Sequence, residues 1–278
     1  MTDAPPCRAP SLARLRLGLP GEIELGDELA CVAGRRRFGA MASGHAAIVT
    51  LHVKPPIGPR AADLEQRFAD LRTLAHANLT MPLAVGELDG CAWVAEFAPI
   101  APTIIDRVAG GALSIGDAVA VIRDVARAVA AMHRRGIWHG AIGPDVIDWT
   151  TDGARLGGVG LSLGSSRRDD LDALGRVAWT LFSGDRCRGA VQPLSKLRRG
   201  VSPELDALCF SLLAPTSADR PASAEEILDT LDTVPTLRRN SLTSLVDQGW
   251  DARPPRRLGW LMLGAAMAGL AILLASRT

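Results

Sequence analysis

A run of 18 residues near the end of the chain, 258–275, contains no charged side chain (LGWLMLGAAMAGLAILLA). As a helix with a rise of about 1.5 Å per residue it extends roughly 27 Å, close to the hydrocarbon thickness of a bilayer. A buried helix of a soluble domain is the alternative, but the run is apolar on every face and follows a Pro- and Arg-rich stretch (DARPPRR). The sequence therefore predicts one C-terminal transmembrane helix that acts as a tail anchor.

The residues on either side of this helix predict its orientation. Arg253, Arg256 and Arg257 lie immediately before it, and a short tail, 276–278, follows it. Because basic flanks stay on the cytoplasmic side, we expect a single pass through the inner (cytoplasmic) membrane with the large N-terminal part in the cytoplasm. Small residues at four-residue spacing favour helix pairing, which makes a homodimer through the anchor a candidate. These small residues are Gly264, Ala265, Ala268 and Gly269.

The composition narrows the classes of function. The chain has 31 basic and 30 acidic residues, and its net charge of +1 argues against a nucleic-acid partner, which would attract a basic excess. Lys54 and Lys196 are the only lysines among the basic residues, a bias typical of a GC-rich bacterial coding sequence. The 5 cysteines form no C-x-x-C pair and have no His cluster beside them, which predicts reduced thiols and no metal site.

The hydrophobic pattern changes along the chain from strands to helices. Residues 46–53 and 91–98 are β-branched or aromatic runs bounded by turn residues, which predicts strands, and residues 62–75 between them have apolar positions at helical spacing. Apolar residues after residue 113 recur at helical spacing. The sequence therefore predicts an α+β protein, with a strand-rich half before a larger helical half. The start signals of the later helices are Ser114, Ser202 and Ser223, and a stop signal is Gly184.

Six short strings lie on this pattern in a fixed order. Residues 137–147 read IWHGAIGPDVI and align without gaps to I-V-H-R-D-I-K-P-x-N-I. This string and five others, taken together, make residues 22–235 resemble the bacterial Ser/Thr protein kinase family. The other five are 33–40 (AGRRRFGA, similar to the Gly-rich loop G-x-G-x-F-G), 49–53 (VTLHV, similar to V-A-I-K-V), 76–79 (HANL, similar to H-P-N-I), 170–175 (DLDALG, similar to D-V-Y-S-L-G) and 218–221 (ADRP, similar to D-x-R-P-S).

The resemblance implies a bilobal protein kinase-like fold. We expect a small β-rich N-lobe at 22–99 and a larger α-helical C-lobe at 100–235, with a shortened activation segment in the C-lobe. Residues 1–21 are then an N-terminal extension, and 236–257 are a basic juxtamembrane linker before the transmembrane helix at 258–275.

The positions that perform chemistry in the family are substituted here. Phosphoryl transfer needs a cation on the phosphates, metal ligands and a carboxylate that accepts the hydroxyl proton. Aligned to the family, the sequence has His52 for the phosphate-binding Lys, Ala141 for the catalytic Asp, Gly143 for the Lys two residues later, Val146 for the metal-binding Asn and Gly158 for the Asp of D-F-G. These substitutions predict a pseudokinase with no catalytic residue.

Two acidic residues keep an alternative open. Asp145 is displaced by one from the Asn position and Asp148 lies beyond it. A divergent ATP-binding Ser/Thr protein kinase, or another phosphotransferase with a non-standard active site, would require one of them to turn inward as a metal ligand or base.

The resemblance also assigns structural roles. His139 and Asp170 match residues that brace the catalytic loop by hydrogen bonds. Only 12 positions separate Gly158 from Asp170, and this stretch has no A-P-E string. Arg220 matches the family residue that pairs with the Glu of A-P-E, so we expect it to lack that partner.

The Gly-rich loop raises the question of nucleotide binding. Arg36 replaces the second Gly of the loop, and it either supplies positive charge to phosphates or obstructs the close approach that Gly permits. We expect any ATP binding to be weak and independent of Mg²⁺. The candidate residual nucleotide cleft consists of Gly34, Arg36, Gly39, His52, Glu96 and Ala98.

The linker sequence and the substitution of the family's catalytic residues suggest that this chain acts through protein partners. Arg238 and Arg239 precede Ser241, so a basophilic kinase is a candidate to phosphorylate Ser241, Thr243 or Ser244 and create a docking mark. The sequence predicts a membrane-tethered scaffold or allosteric partner of a signalling protein, for example an active kinase or a phosphopeptide-binding protein. A structural subunit of an envelope complex fits the same features.

Overall fold

The computed structural model describes residues 10–32, 34–52, 61–97, 102–159, 165–184, 192–214 and 219–234. The N-terminal half contains a five-stranded antiparallel sheet in the order β1-β2-β3-β5-β4. Its strands are β1 (Ile23–Val32), β2 (Arg35–Ala42), β3 (His45–His52), β4 (Pro82–Leu88) and β5 (Cys91–Phe97), and its helices are α1 (Leu12–Gly18) and α2 (Ala61–Arg72).

Tight turns explain why neighbouring strands pair. Ser43 and Gly44 join β2 to β3, and Asp89 and Gly90 join β4 to β5, all four with positive φ. Such two-residue turns match the right-handed twist of paired strands. The strands predicted at 46–53 and 91–98 are confirmed as β3 and β5.

The two faces of this sheet have different partners. Side chains alternate along a strand, so the register puts Arg37, Thr50 and Val94 on one face. Phe38 and its neighbours lie on the other face, in a hydrophobic cluster with Leu15 of α1. Leu15 is fully buried, and Arg14 pairs with Asp89 at 3.2 Å. Helix α1, which the sequence analysis did not identify, is therefore part of the packing of this lobe.

The second half is mainly helical. The longest of the helices that the structure describes, α4, is buried along most of its length against α5, α8 and the hairpin β6–β7. The predicted helix starts at Ser114, Ser202 and Ser223 are confirmed, because each side chain accepts a backbone N–H of the first turn. The elements are α3 (Ile104–Val108), α4 (Ile115–His133), β6 (Ile147–Thr150), β7 (Gly153–Leu156), α5 (Arg167–Ser183), α6 (Leu194–Leu197), α7 (Pro203–Leu212) and α8 (Ala224–Thr233).

Candidate functional site

An irregular loop between α4 and β6 occupies the centre of the second half, and Asp170 of α5 anchors it. The carboxylate of Asp170 is fully buried and accepts the backbone N–H groups of His139 at 2.8 Å and Gly140 at 2.6 Å. It also contacts Nε2 of His133 at 2.9 Å. The bracing role that the resemblance implies for Asp170 corresponds to these three contacts.

The side chain of His139 joins this loop to the segment after β7. Its Nδ1 accepts the backbone N–H of Ala141 at 3.1 Å, so Nε2 carries the hydrogen and donates to the carbonyl of Gly157 at 2.9 Å. Complete burial lowers the pKa of His139, which favours the neutral ring that this pattern requires. The loop therefore has a defined position, which the hydrogen bonds of Asp170 and His139 maintain.

Four of the five substituted positions that the resemblance identifies lie on this loop and the segment after β7, and the fifth, His52, lies in β3. Ala141 and Val146 are buried, and neither side chain has a polar atom. Gly143 lies between them, and Gly158 follows β7 and contributes its backbone N–H to a hydrogen bond with Glu96. His52 ends β3 opposite Arg35 in the register of the sheet.

Arg35 of β2 extends from the sheet into this loop. Its Nε and NH2 groups donate to the two carboxylate oxygens of Asp145 at 2.8 and 2.6 Å, and its NH1 group donates to the carbonyl of Ala141 at 2.7 Å. Both side chains of the ion pair are buried, with 7% and 3% of their surface exposed. Asp145 therefore does turn inward, but its two oxygens bind a guanidinium group.

Arg37, two residues further along β2, makes a second connection. Its NH1 group donates to the backbone carbonyl of Asp145, and its NH2 group lies 3.6 Å from the carboxylate of Asp148. Burial raises the pKa of Asp148, and the charge of Arg37 opposes that rise. Both acidic residues that the sequence left as candidate metal ligands or bases thus face arginines of the sheet.

Glu96, at the end of β5, forms the third connection. Its side chain is 3% exposed, and Oε1 accepts the N–H of Gly158 at 2.7 Å. Burial raises the pKa of Glu96 to about 7, with the Gly158 hydrogen bond and Arg37 acting in the opposite direction. Glu96, a residue of the predicted nucleotide cleft, therefore directs its carboxyl group to the segment after β7.

Two glycines make room for these groups. A Cβ at Gly143 would lie 2.6 Å from NH2 of Arg35 and 2.7 Å from Oδ1 of Asp145. A Cβ at Gly157 would lie 2.9 Å from Oε2 of Glu96. The arginine and glutamate side chains fit between the lobes because these two positions have no side chain.

Arg36, the arginine that the sequence analysis singled out, lies on the opposite face of β2. It pairs with Glu28 at 2.7 Å, donates to the carbonyl of Pro10 and lies over the ring of Phe38. The hydrogen bond from Arg36 lowers the pKa of Glu28. Strand alternation directs the Arg36 side chain away from Asp145, so in this structure its guanidinium group lies against Glu28 and not between the lobes.

The other candidate positions of the cleft fall at the edges of this site. Gly34 adopts a positive φ of 78° in the turn between β1 and β2, and Gly39 lies in β2 opposite Ile48. Arg35 and Arg37 were not proposed from the sequence. The signal that could have found them is the alternation of β2, which puts both on the face opposite Arg36.

Arg220 pairs with an aspartate, not with the A-P-E glutamate that the resemblance would give it. Its NH2 group lies 3.2 Å from Asp172 of α5, and its Nε donates to the carbonyl of Ala214. The pair joins α5 to the segment before α8.

Several predictions lie outside the described residues. They are Ala98, the candidate phosphorylation sites Ser241, Thr243 and Ser244, the anchor at 258–275 and its small residues Gly264, Ala265, Ala268 and Gly269. Among the helices that the structure describes, none has the length and apolar character needed to cross a bilayer.

The charges between the lobes do not fit a magnesium nucleotide. Asp145 of the loop and Asp148 of β6 each face one arginine of β2. A metal ion would have to displace a guanidinium group from a carboxylate, and phosphates would have to displace a carboxylate from a guanidinium group. Either exchange leaves a buried charge without its partner, which is strongly unfavourable.

Solved structures of kinase domains are similar to this chain. The PknI kinase domain of Mycobacterium tuberculosis is 23% identical with a TM-score of 0.59, and the match covers 76% of this chain and 95% of that domain. A mutant of the same domain matches with a TM-score of 0.61 at 21% identity over the same shares. A Rad53 structure in complex with AMP-PNP matches with a TM-score of 0.58 at 16% identity, over 75% of this chain and 64% of that one.

No protein-family model matches the sequence, and no curated protein sequence matches it. The structural neighbours are Ser/Thr protein kinase domains, and at these identities the similarity concerns the fold. The predicted arrangement of a β-sheet N-lobe and a helical C-lobe is confirmed: the chain has a protein kinase-like fold.

Proposed function

We propose that this chain is a pseudokinase: a catalytically inactive homologue of protein kinases that acts as a scaffold or allosteric partner in signalling or in an envelope complex. Residues 258–275 tether it to the inner membrane, with the kinase-like lobes in the cytoplasm. Its partner is a protein, for example an active kinase or a phosphopeptide-binding protein.

The observation that carries the proposal is the pairing of Asp145 with Arg35. In the loop where the family has its base and a metal ligand, the sequence has Ala141 and Val146, whose side chains cannot bind a proton or a metal ion. The nearest carboxylate, Asp145, accepts two hydrogen bonds from Arg35. In this bidentate pair the guanidinium group occupies both carboxylate oxygens, so a metal ion or a substrate would have to displace it.

A divergent phosphotransferase is the second candidate, because two carboxylates do lie between the lobes. Asp145 and Asp148 are both buried there, and carboxylate oxygens are the ligands that Mg²⁺ prefers. This function requires Arg35 and Arg37 to move away before the metal ion binds.

Transfer of radiolabel from γ-labelled ATP distinguishes a pseudokinase from a divergent phosphotransferase. The full chain is incubated with Mg²⁺ or Mn²⁺ and a basic protein acceptor, beside an active Ser/Thr kinase as the positive control. We expect no label on the chain or on the acceptor above a heat-treated sample. Label that appears with the intact chain and disappears in a D145N/D148N variant would establish the phosphotransferase instead.

A further inference from the structure

The N-lobe and the C-lobe are joined by a buried cluster of charged side chains. Arg35, Arg37 and Glu96 come from the sheet, whereas Asp145 and Asp148 come from the loop and the start of β6. We call these five residues the interlobe clasp. Each is at least nine-tenths buried.

The hydrogen bonds of the clasp cross from one lobe to the other. Arg35 contributes three to the loop, which involve both oxygens of Asp145 and the carbonyl of Ala141. Arg37 adds the carbonyl of Asp145, and Glu96 accepts the N–H of Gly158. These partners are 62 to 110 residues apart in the chain, so they fix the position of one lobe against the other.

The charges of the clasp balance, although Nε of Arg37 and Oδ1 of Asp148 are buried and have no hydrogen-bond partner among the described residues. Two guanidinium groups face two carboxylates, and burial favours the uncharged form of the fifth group, Glu96. No additional ion is needed to balance these charges.

We propose that the interlobe clasp holds the two lobes closed in the absence of nucleotide, so that their relative position does not depend on a bound ligand. The proposal deepens the proposed function, and it rests on that function for the statement that the closed lobes serve a protein partner. The closure itself depends on the ion pair between Arg35 and Asp145, and on the absence of a side chain at Gly143.

The sharpest variant is Gly143→Ala. The added methyl group would meet NH2 of Arg35 and Oδ1 of Asp145, both at the ends of side chains. The lobes can keep their folds if the guanidinium group moves away, and that movement opens the clasp without any change of charge. The matched control is Gly21→Ala, because a Cβ at Gly21 has no heavy atom within 4 Å among the described residues.

Hydrogen–deuterium exchange of the full chain measures closure directly. We expect peptides covering 141–146 and 157–158 to exchange at least tenfold faster in G143A and in Arg35→Ala than in the wild type. Exchange of α4 should stay unchanged as an internal reference. Gly21→Ala and Arg36→Ala, whose guanidinium group lies on the other face of β2, should exchange like the wild type.

Hydrogen–deuterium exchange of the wild-type chain with and without nucleotide gives a second test. ATP with Mg²⁺ should leave the exchange of these peptides unchanged. Wild-type exchange in both G143A and Arg35→Ala, or protection of the peptides by the nucleotide, would overturn the clasp. If G143A does not fold, Arg35→Ala and the nucleotide experiment still decide the question.

The outcomes separate the clasp from the proposed function. Radiolabel transfer together with fast exchange in the variants would leave the clasp valid and the pseudokinase assignment wrong. Absence of transfer together with wild-type exchange in the variants would leave the assignment valid and the clasp wrong.

Discussion

Replacing Asp170 with Ala is expected to lower the free energy of unfolding by about 3 to 5 kcal/mol, because several groups would lose their hydrogen-bond acceptor at about 1 to 3 kcal/mol each. The carboxylate accepts the N–H groups of His139 and Gly140 and contacts Nε2 of His133. Without it these donors stay buried and lack an acceptor, which is the costly outcome for a hydrogen-bond donor.

Urea unfolding of the full chain followed by Trp fluorescence checks this expectation, because Trp138 lies 5.1 Å from the ring of His133. The matched control is Asp169→Ala. The side chain of Asp169 only completes the exposed capping box of α5 with Ser166, so its loss should cost about 1 kcal/mol. Equal losses in the two variants would show that Asp170 does not anchor the loop.

Replacing Glu96 with Gln is expected to remove a pH dependence of stability. The pKa of Glu96 is about 7 in the folded chain, against a reference value of 4.5. Between these values the folded state retains a proton that the unfolded chain releases, so the free energy of unfolding falls as the pH rises. At 1.36 kcal/mol per pH unit, Glu96 alone lowers it by about 2 to 3 kcal/mol between pH 5 and pH 8.

The quantity to measure is the difference in unfolding free energy between wild type and Glu96→Gln across this pH range. The difference isolates Glu96 from other titrating groups such as Asp148 and His139, since the amide oxygen of Gln can still accept the Gly158 N–H. Glu87→Gln, which changes an exposed carboxyl on the neighbouring strand, should leave the pH profile unchanged. A parallel profile for wild type and Glu96→Gln would contradict the buried, protonated state of Glu96.

Local sequence signals predicted much of this fold. Helices begin at Ser114, Ser202 and Ser223 because each hydroxyl accepts a first-turn N–H group and an apolar stripe follows. These signals lie within a few residues of the helices that they start. Helix α1 was missed because its seven residues are too few to show a clear period, and its stability comes from burying Leu15 against the sheet.

The contacts between the lobes were harder to predict. Arg35 and Asp145 are 110 residues apart, and no local pattern relates them. The three arginines at 35–37 are evident in the sequence, but alignment to the Gly-rich loop singles out Arg36 because it replaces the second Gly. The alternation of β2 instead puts Arg35 and Arg37 on the face toward the loop.

Thermal unfolding of the full chain with ATP, with and without Mg²⁺, tests most directly whether the centre can hold a metal nucleotide. A ligand that binds only the folded state stabilises it by about 2.7 kcal/mol at a concentration of 100 times its dissociation constant. We expect millimolar ATP to give no Mg²⁺-dependent rise in the unfolding temperature. A saturable rise that requires Mg²⁺ and is lost when Asp145 is replaced with Asn would contradict the account.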